Sequence, residues 1–235
     1  MRLVYGIALL IASLARADVC DPSRFAGSYA FQLSGTATIA GPEKPATSLG
    51  RLVFDGAGNV GGVSSAMFTG LLLSNPVTGS YEVRADCSIR WKLQDDSGAF
   101  QNFAGTLSAD LTRGQFHQAD SGGAQRGILQ KTPDQCSAAT LKPRYRYTIS
   151  GTIIPMDSAG PGRSISAKGT LAVSPGALQV DSDCVVQFDL ATHDANGDPM
   201  VLRIRGYLVN GGQEMLAIQT DPGAMVTGRF IEEAQ

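Results

Sequence analysis

The chain has 235 residues, with 19 Lys and Arg against 21 Asp and Glu, and no run of basic residues anywhere. A formal charge of −2 without such a run offers no electrostatic footprint for nucleic acid or anionic lipid, so neither is an expected partner. The length suits one large β domain or two small ones, and 28 glycines with 11 prolines, scattered along the chain, suit many short strands joined by tight turns.

Residues 1–17 read as a signal peptide. Arg2 gives the charged start, Leu3 to Leu14 is a short apolar run, and Ala15-Arg16-Ala17 has the small-x-small form that signal peptidase cleaves. Cleavage is expected before Asp18. No later stretch approaches the roughly 18 apolar residues of a membrane-spanning helix, so no membrane insertion is expected after cleavage. Asp18-Val19 before Cys20 is not a lipobox, which argues against a lipid anchor. The expected location is secreted or periplasmic. The lack of any Asn-x-Ser/Thr site favours bacterial export.

From Asp18 onward the chain is read as two copies of one unit, over 18–131 and 132–235. The first opens with Cys20 and, nine positions on, Tyr29-Ala30-Phe31-Gln32-Leu33-Ser34-Gly35-Thr36. The second opens with Cys136 and, again nine positions on, Tyr145-Arg146-Tyr147-Thr148-Ile149-Ser150-Gly151-Thr152. Asp86-Cys87-Ser88-Ile89-Arg90-Trp91-Lys92-Leu93 parallels Asp183-Cys184-Val185-Val186-Gln187-Phe188-Asp189-Leu190. Asp120 lies seven positions before Gly127, and Asp221 seven before Gly228. Three blocks in one order, each keeping its internal spacing, indicate a duplication. The stretch Leu52 to Gly61 finds no partner in the second copy, which predicts a lost hairpin there. Lys131-Thr132-Pro133-Asp134-Gln135 reads as the connection, since Pro and Asp break strands.

Within each copy apolar residues recur at every second position. Cys87, Ile89, Trp91 and Leu93 share one face while Ser88, Arg90 and Lys92 share the other; Cys184, Val186, Phe188 and Leu190 repeat the pattern. Such alternation means antiparallel strands with one buried and one wet face. The expected fold is all-β: two tandem small antiparallel barrels, the second shorter, with the signal segment as the one helix. Each copy carries one cysteine before its first strand and one in its Asp-Cys block. The duplication therefore pairs Cys20 with Cys87 and Cys136 with Cys184, each bond contributing about 4 kcal/mol on the chain-entropy argument. Bonds of this kind imply an oxidising compartment.

The candidate chemistries are weak. Gly56-Ala57-Gly58-Asn59-Val60-Gly61 has the glycine spacing of a dinucleotide loop but lacks a helix start and a βαβ rhythm, so it reads as a hairpin and no cofactor is expected. Asp194, Asn196 and Asp198 resemble the opening of a calcium loop, yet Arg205 stands where the closing acid belongs, so a turn is expected and no metal. His117 and His193 fall at unmatched places, all four cysteines are assigned, and no nucleophile elbow is present, so no catalytic residue is assigned. The recurring pairs Asp86 with Asp183 and Asp120 with Asp221 are expected to bond main chain at strand ends. Tyr29, Phe31 and Trp91 in one copy, and Tyr145, Tyr147 and Phe188 in the other, form inward aromatic faces. Large inward aromatics most simply fill a core, but a barrel of about eight strands is wide enough for one small ligand.

The strings Gly27-Ser28-Tyr29-Ala30-Phe31, Asp55-Gly56-Ala57-Gly58-Asn59 and Gly79-Ser80-Tyr81-Glu82-Val83-Arg84-Ala85-Asp86-Cys87 resemble a group of small exported, uncharacterised bacterial β-rich proteins. The resemblance spans most of the first copy, and the middle motif is missing from the second. It implies membership and no activity. The strand order it implies is similar to calycin-like or allene-oxide-cyclase-like barrels, an analogy of architecture. The function expected from these readings is an exported, non-catalytic protein binding a small apolar ligand behind the six aromatic residues. The alternatives are a cyclase- or isomerase-type barrel enzyme and a structural protein with a surface partner.

Overall fold

The computed structural model describes residues 19–38, 43–68, 70–154, 162–174, 176–194 and 197–233; the expected signal segment lies outside them. These residues are β throughout apart from three short 3-10 turns. In the first copy β1 (Gly27–Ala37), β2 (Lys44–Phe54), β3 (Asn59–Phe68), β4 (Leu71–Val83), β5 (Ser88–Asp95), β6 (Phe100–Leu107), β7 (Arg113–Gln118) and β8 (Arg126–Lys131) pair in chain order. β8 returns to β1 from Tyr29↔Lys131 to Ser34↔Arg126, closing an up-and-down barrel that leaves no free edge. The alternation sets the walls: Ile89, Trp91 and Leu93 of β5 are buried, and Arg90 and Lys92 are exposed.

The second copy consists of β9 (Arg144–Ile153), β10 (Arg163–Ala172), β11 (Gln179–Val180), β12 (Val185–His193), β13 (Pro199–Val209), β14 (Glu214–Gln219) and β15 (Ala224–Glu232). Here the expected second barrel is corrected: the sheet is open, in the order β10-β9-β15-β14-β13-β12-β11. The registers give the reason. β9 meets β15 at Tyr147↔Phe230 as β1 meets β8 at Phe31↔Leu129. β12 meets β13 at Phe188↔Ile204 as β5 meets β6 at Trp91↔Phe103. Among the described residues no strand stands where β3 does, and the two-residue β11 is all that parallels β4. The lost segment is thus the hairpin, but it begins later than the sequence suggested. Leu171 faces Tyr145 as Leu52 faces Tyr29, so β10 retains the counterpart of β2. Without the hairpin the sheet curls on itself. The Tyr147 and Thr192 hydroxyls bond across the interior at 2.9 Å, and Arg163 pairs with Asp194 at 3.0 Å.

Each copy has its own disulfide, Cys20–Cys87 and Cys136–Cys184, with Cα atoms 5.1 and 4.9 Å apart. Such bonds belong to an oxidising environment. Cys87 and Cys184 both sit at left-handed φ, 64° and 66°, at the end of a turn whose cysteine N–H donates to the Arg84 or Asp181 carbonyl. That shared turn aims each sulfur back at the cysteine preceding the first strand.

The two copies pack wall to wall. Ala30 and Leu49 of the barrel meet Val185, Tyr207, Val209, Leu216 and Ile218 of the open sheet. The Gln32 amide donates to the main-chain oxygens of Ala217 and Gly228 at 2.7 and 2.9 Å. Glu214, buried in the seam, accepts from Gln130 at 3.1 Å and pairs with Arg229 at 2.8 Å. β14 is consequently buried on both faces, which explains its uninterrupted run Met215-Leu216-Ala217-Ile218.

Candidate functional site

Tyr29, Phe31 and Trp91 come together inside the barrel, and Tyr145, Tyr147 and Phe188 inside the curled sheet. The barrel rings interlock. Trp91 stacks on Phe103 at 5.3 Å between centroids and meets Phe116 edge-on at 4.8 Å; Phe31 reaches Phe116 at 6.5 Å. Tyr29 packs against Phe25 and Phe54 at 4.9 and 5.5 Å. In the second copy Phe230 receives both Tyr147 and Phe188, at 5.7 and 5.5 Å. Glycine makes room for the rings. Phe31 lies over its cross-strand partner Gly50, and Tyr147 over Gly169, where an added Cβ would run into the ring.

The inward hydroxyls already have partners. Tyr29 donates to the Leu111 carbonyl at 2.8 Å, and Tyr145 to the equivalent Gly212 carbonyl at 2.7 Å. Burial, with smaller repulsions from Asp110 and Tyr81, pushes the Tyr29 phenol up to about 12; burial likewise raises Tyr145 and Tyr207. A phenol that keeps its proton and spends it on a main-chain carbonyl is an anchor, and a poor general base at neutral pH.

The other candidates resolve into turns and strand ends. Asp55 accepts from the Ala57 and Asn59 amides at 2.7 and 2.9 Å, fastening the glycine-rich stretch as the β2–β3 hairpin. Asp194 accepts from the Asp198 amide at 3.0 Å in the β12–β13 turn; Asn196 lies outside the described residues. Asp120 takes the Asn102 amide at 2.7 Å as Asp221 takes that of Arg203 at 3.1 Å. Asp86 caps the Ser88 amide at 3.0 Å, while its counterpart Asp183 pairs with Arg51 at 3.2 Å across the seam. His117 is exposed on β7 and His193 at the end of β12. Among the described residues no three His, Cys, Asp or Glu are grouped to hold a metal.

The concavity that these strands do build lies outside the barrel. The outer face of β5–β8 forms an open groove of about 1150 Å³, adjoining a smaller one of about 630 Å³ with which it shares Arg90, Ala104 and His117. The registers place Arg90, Ala104, His117, Arg126 and Ser34 in one row across β5, β6, β7, β8 and β1. Arg113 stands farther along β7, and Arg229 reaches in from the second copy. The sequence offered little sign of this row. Its members are widely separated along the chain, and alternation identifies them only as a wet face.

The second copy uses the same wall differently. Ala104↔His117 and Thr106↔Gln115 correspond to Arg205↔Ile218 and Tyr207↔Leu216. There Tyr207, Leu216 and Ile218 are buried against the first copy. One wall position is therefore apolar and covered in one copy, polar and uncovered in the other. Comparison of the chain with protein-family models and with curated proteins gives no match.

Proposed function

We propose that this chain is an exported, non-catalytic recognition protein that engages its partner on the outer wall of the closed barrel, and not through a ligand held inside it. The observation that carries this reading is the double use of one wall. In the second copy it is a docking face, filled by the first copy; in the first copy the equivalent surface is concave and faces solvent. The interior supports the same reading, because the six aromatic residues pack on one another, on glycine and on neighbouring side chains. The perturbed phenols are shifted away from neutrality, the opposite of what acid–base chemistry requires. The signal-like N-terminus and the two disulfides support export. The strand order of the barrel supports the calycin-like resemblance as architecture, which carries no activity with it.

Trp91 is the chain's single tryptophan and lies 4% exposed among Phe103 and Phe116, so it reports directly on the interior. Titration with a long-chain fatty acid and with an anilinonaphthalene dye is expected to leave its emission unchanged. A saturable shift or quench would move the binding site back into the barrel and end the outer-wall reading.

A further inference from the structure

Building on the outer-wall reading, we infer that the groove over β5–β8 binds an anionic polysaccharide, a hydroxyl-rich chain carrying carboxylate or sulfate groups. The groove is lined by Arg84, Arg90, Arg113, Arg126, Arg229 and His117 and, among the described residues, by no Asp or Glu; Glu82 lies in the adjoining smaller groove. Arg84 and Arg229 pair with Glu82 and Glu214 from outside the lining, at 2.9 and 2.8 Å. Arg90, Arg113 and Arg126 are exposed and have no carboxylate oxygen within 4 Å among the described residues; Glu82 of β4 faces Arg90, and Asp110 is the acid that Arg113 acts on. Five of the 19 Lys and Arg of a chain whose acids outnumber its bases line this one groove.

The row sets basic side chains next to one another. His117 and Arg126 face each other directly across β7 and β8, with Arg90 in the same row beyond Ala104. Opposed basic side chains on neighbouring strands repel when both are charged, and an anion lying across them relieves the repulsion. The small Ala104 leaves room in the row between Arg90 and His117.

Spacing selects the kind of anion. Arg90 and Arg126 are three strand steps apart, roughly 14 Å, and Arg113 stands about 13 Å along β7 from His117. One phosphate or sulfate cannot serve all of these positions, so the ligand carries repeated charges. Beside the charged positions stand Thr106 and Gln115, with Ser34 at the end of the row, which are donors and acceptors for hydroxyl groups. Single-stranded nucleic acid requires an exposed aromatic platform for its bases, whereas Phe116, the aromatic residue in the lining, is only 5% exposed. An extended acidic peptide would add to a sheet edge, and the closed barrel has none.

The full exported chain is immobilised and titrated with polygalacturonate, heparin, neutral dextran and oligothymidylate, at about 50 and about 200 mM salt. Binding of polygalacturonate or heparin without dextran is expected, weakening at least about tenfold at the higher salt, and the two polymers separate carboxylate from sulfate recognition. Arg90→Glu/Arg126→Glu is expected to lose at least about tenfold in affinity with an unchanged melting temperature. Arg24→Glu/Lys44→Glu, an equal charge change at exposed positions outside the groove, is expected to bind as the parent does. Failure of both acidic polymers overturns the inference and leaves the outer-wall reading to the Trp91 titration. Equal losses in both double variants, no loss in the first, or tighter binding of the oligonucleotide overturn it as well.

Discussion

Tyr29 and Tyr145 perform one task twice, joining the first strand of each copy to the connection that follows β6 or β13 through a hydroxyl bonded to a main-chain carbonyl. This accounts for a tyrosine at the first place of the repeated Tyr-x-aromatic pattern and a freer choice of ring at the third. Burial of the phenol, with smaller repulsions from Asp110 and Tyr81, also makes stability depend on alkaline pH. Unfolded, Tyr29 releases its proton near pH 10; folded, it holds the proton to about 12. Between those values the unfolded chain binds fewer protons, so the contribution is complete below pH 10 and is lost as pH rises through 12. Tyr29→Phe is expected to be less stable at neutral pH by about 1–2 kcal/mol and to lose melting temperature less steeply above pH 10. Tyr145, raised in the same direction, leaves a residual slope. Parallel alkaline slopes for parent and variant would show that Tyr29 is not the titrating anchor.

The difference between the copies lies in one hairpin. β2 is bonded on both sides, to β1 and β3, whereas β10 pairs among the described residues with β9 alone. An edge needs protection from foreign strands, and the wet face of β10 carries Ser164, Ser166, Lys168 and Thr170 with Arg163 at its start. Hydrogen exchange should expose the asymmetry: about half of the β10 amides are expected to exchange at least about tenfold faster than their β2 counterparts. Equal protection would mean that something covers the edge. The sequence made much of this legible, because duplication supplies an internal alignment. It paired the four cysteines, and it marked the repeated Ser-Gly-Thr, where Gly35 and Gly151, at φ 146° and 155°, pass so close to Ala124-Gln125 ahead of β8 and to Met225-Val226 of β15 that no Cβ fits. Alternation states which face of a strand is wet and not which strand lies beside it. For that reason neither the open second sheet nor the row Arg90–His117–Arg126 could be read before the registers were known.

At the scale of the whole molecule, the same wall that holds the copies together also limits their number. The open sheet docks its β13–β15 wall on the β1–β2 wall of the barrel. To repeat that contact between chains, the barrel's β5–β8 wall would have to meet the β9–β10 wall of another chain. The first carries Arg90, Arg113 and Arg126, the second Arg144, Arg146 and Lys168, and like charges oppose that meeting. Within one chain the seam is apolar at its centre, and Gln32 bonds two main-chain oxygens across it, so the copies should melt together. Leu216 lies at the seam, fully buried and on the face of β14 turned toward the barrel. Leu216→Asp places a carboxylate in an apolar seam where its cross-strand partner Arg229 is already engaged by Glu214, and burying that charge is worth several kcal/mol against docking. Calorimetry of the parent is expected to give one transition. The variant should give two, the lower at least about 5 °C below the parent because the open sheet then keeps two free edges and loses a covered face. A single transition at the parent's temperature would mean that the wall contributes nothing to holding the copies together, and the case for the equivalent barrel wall as a docking surface would fall with it.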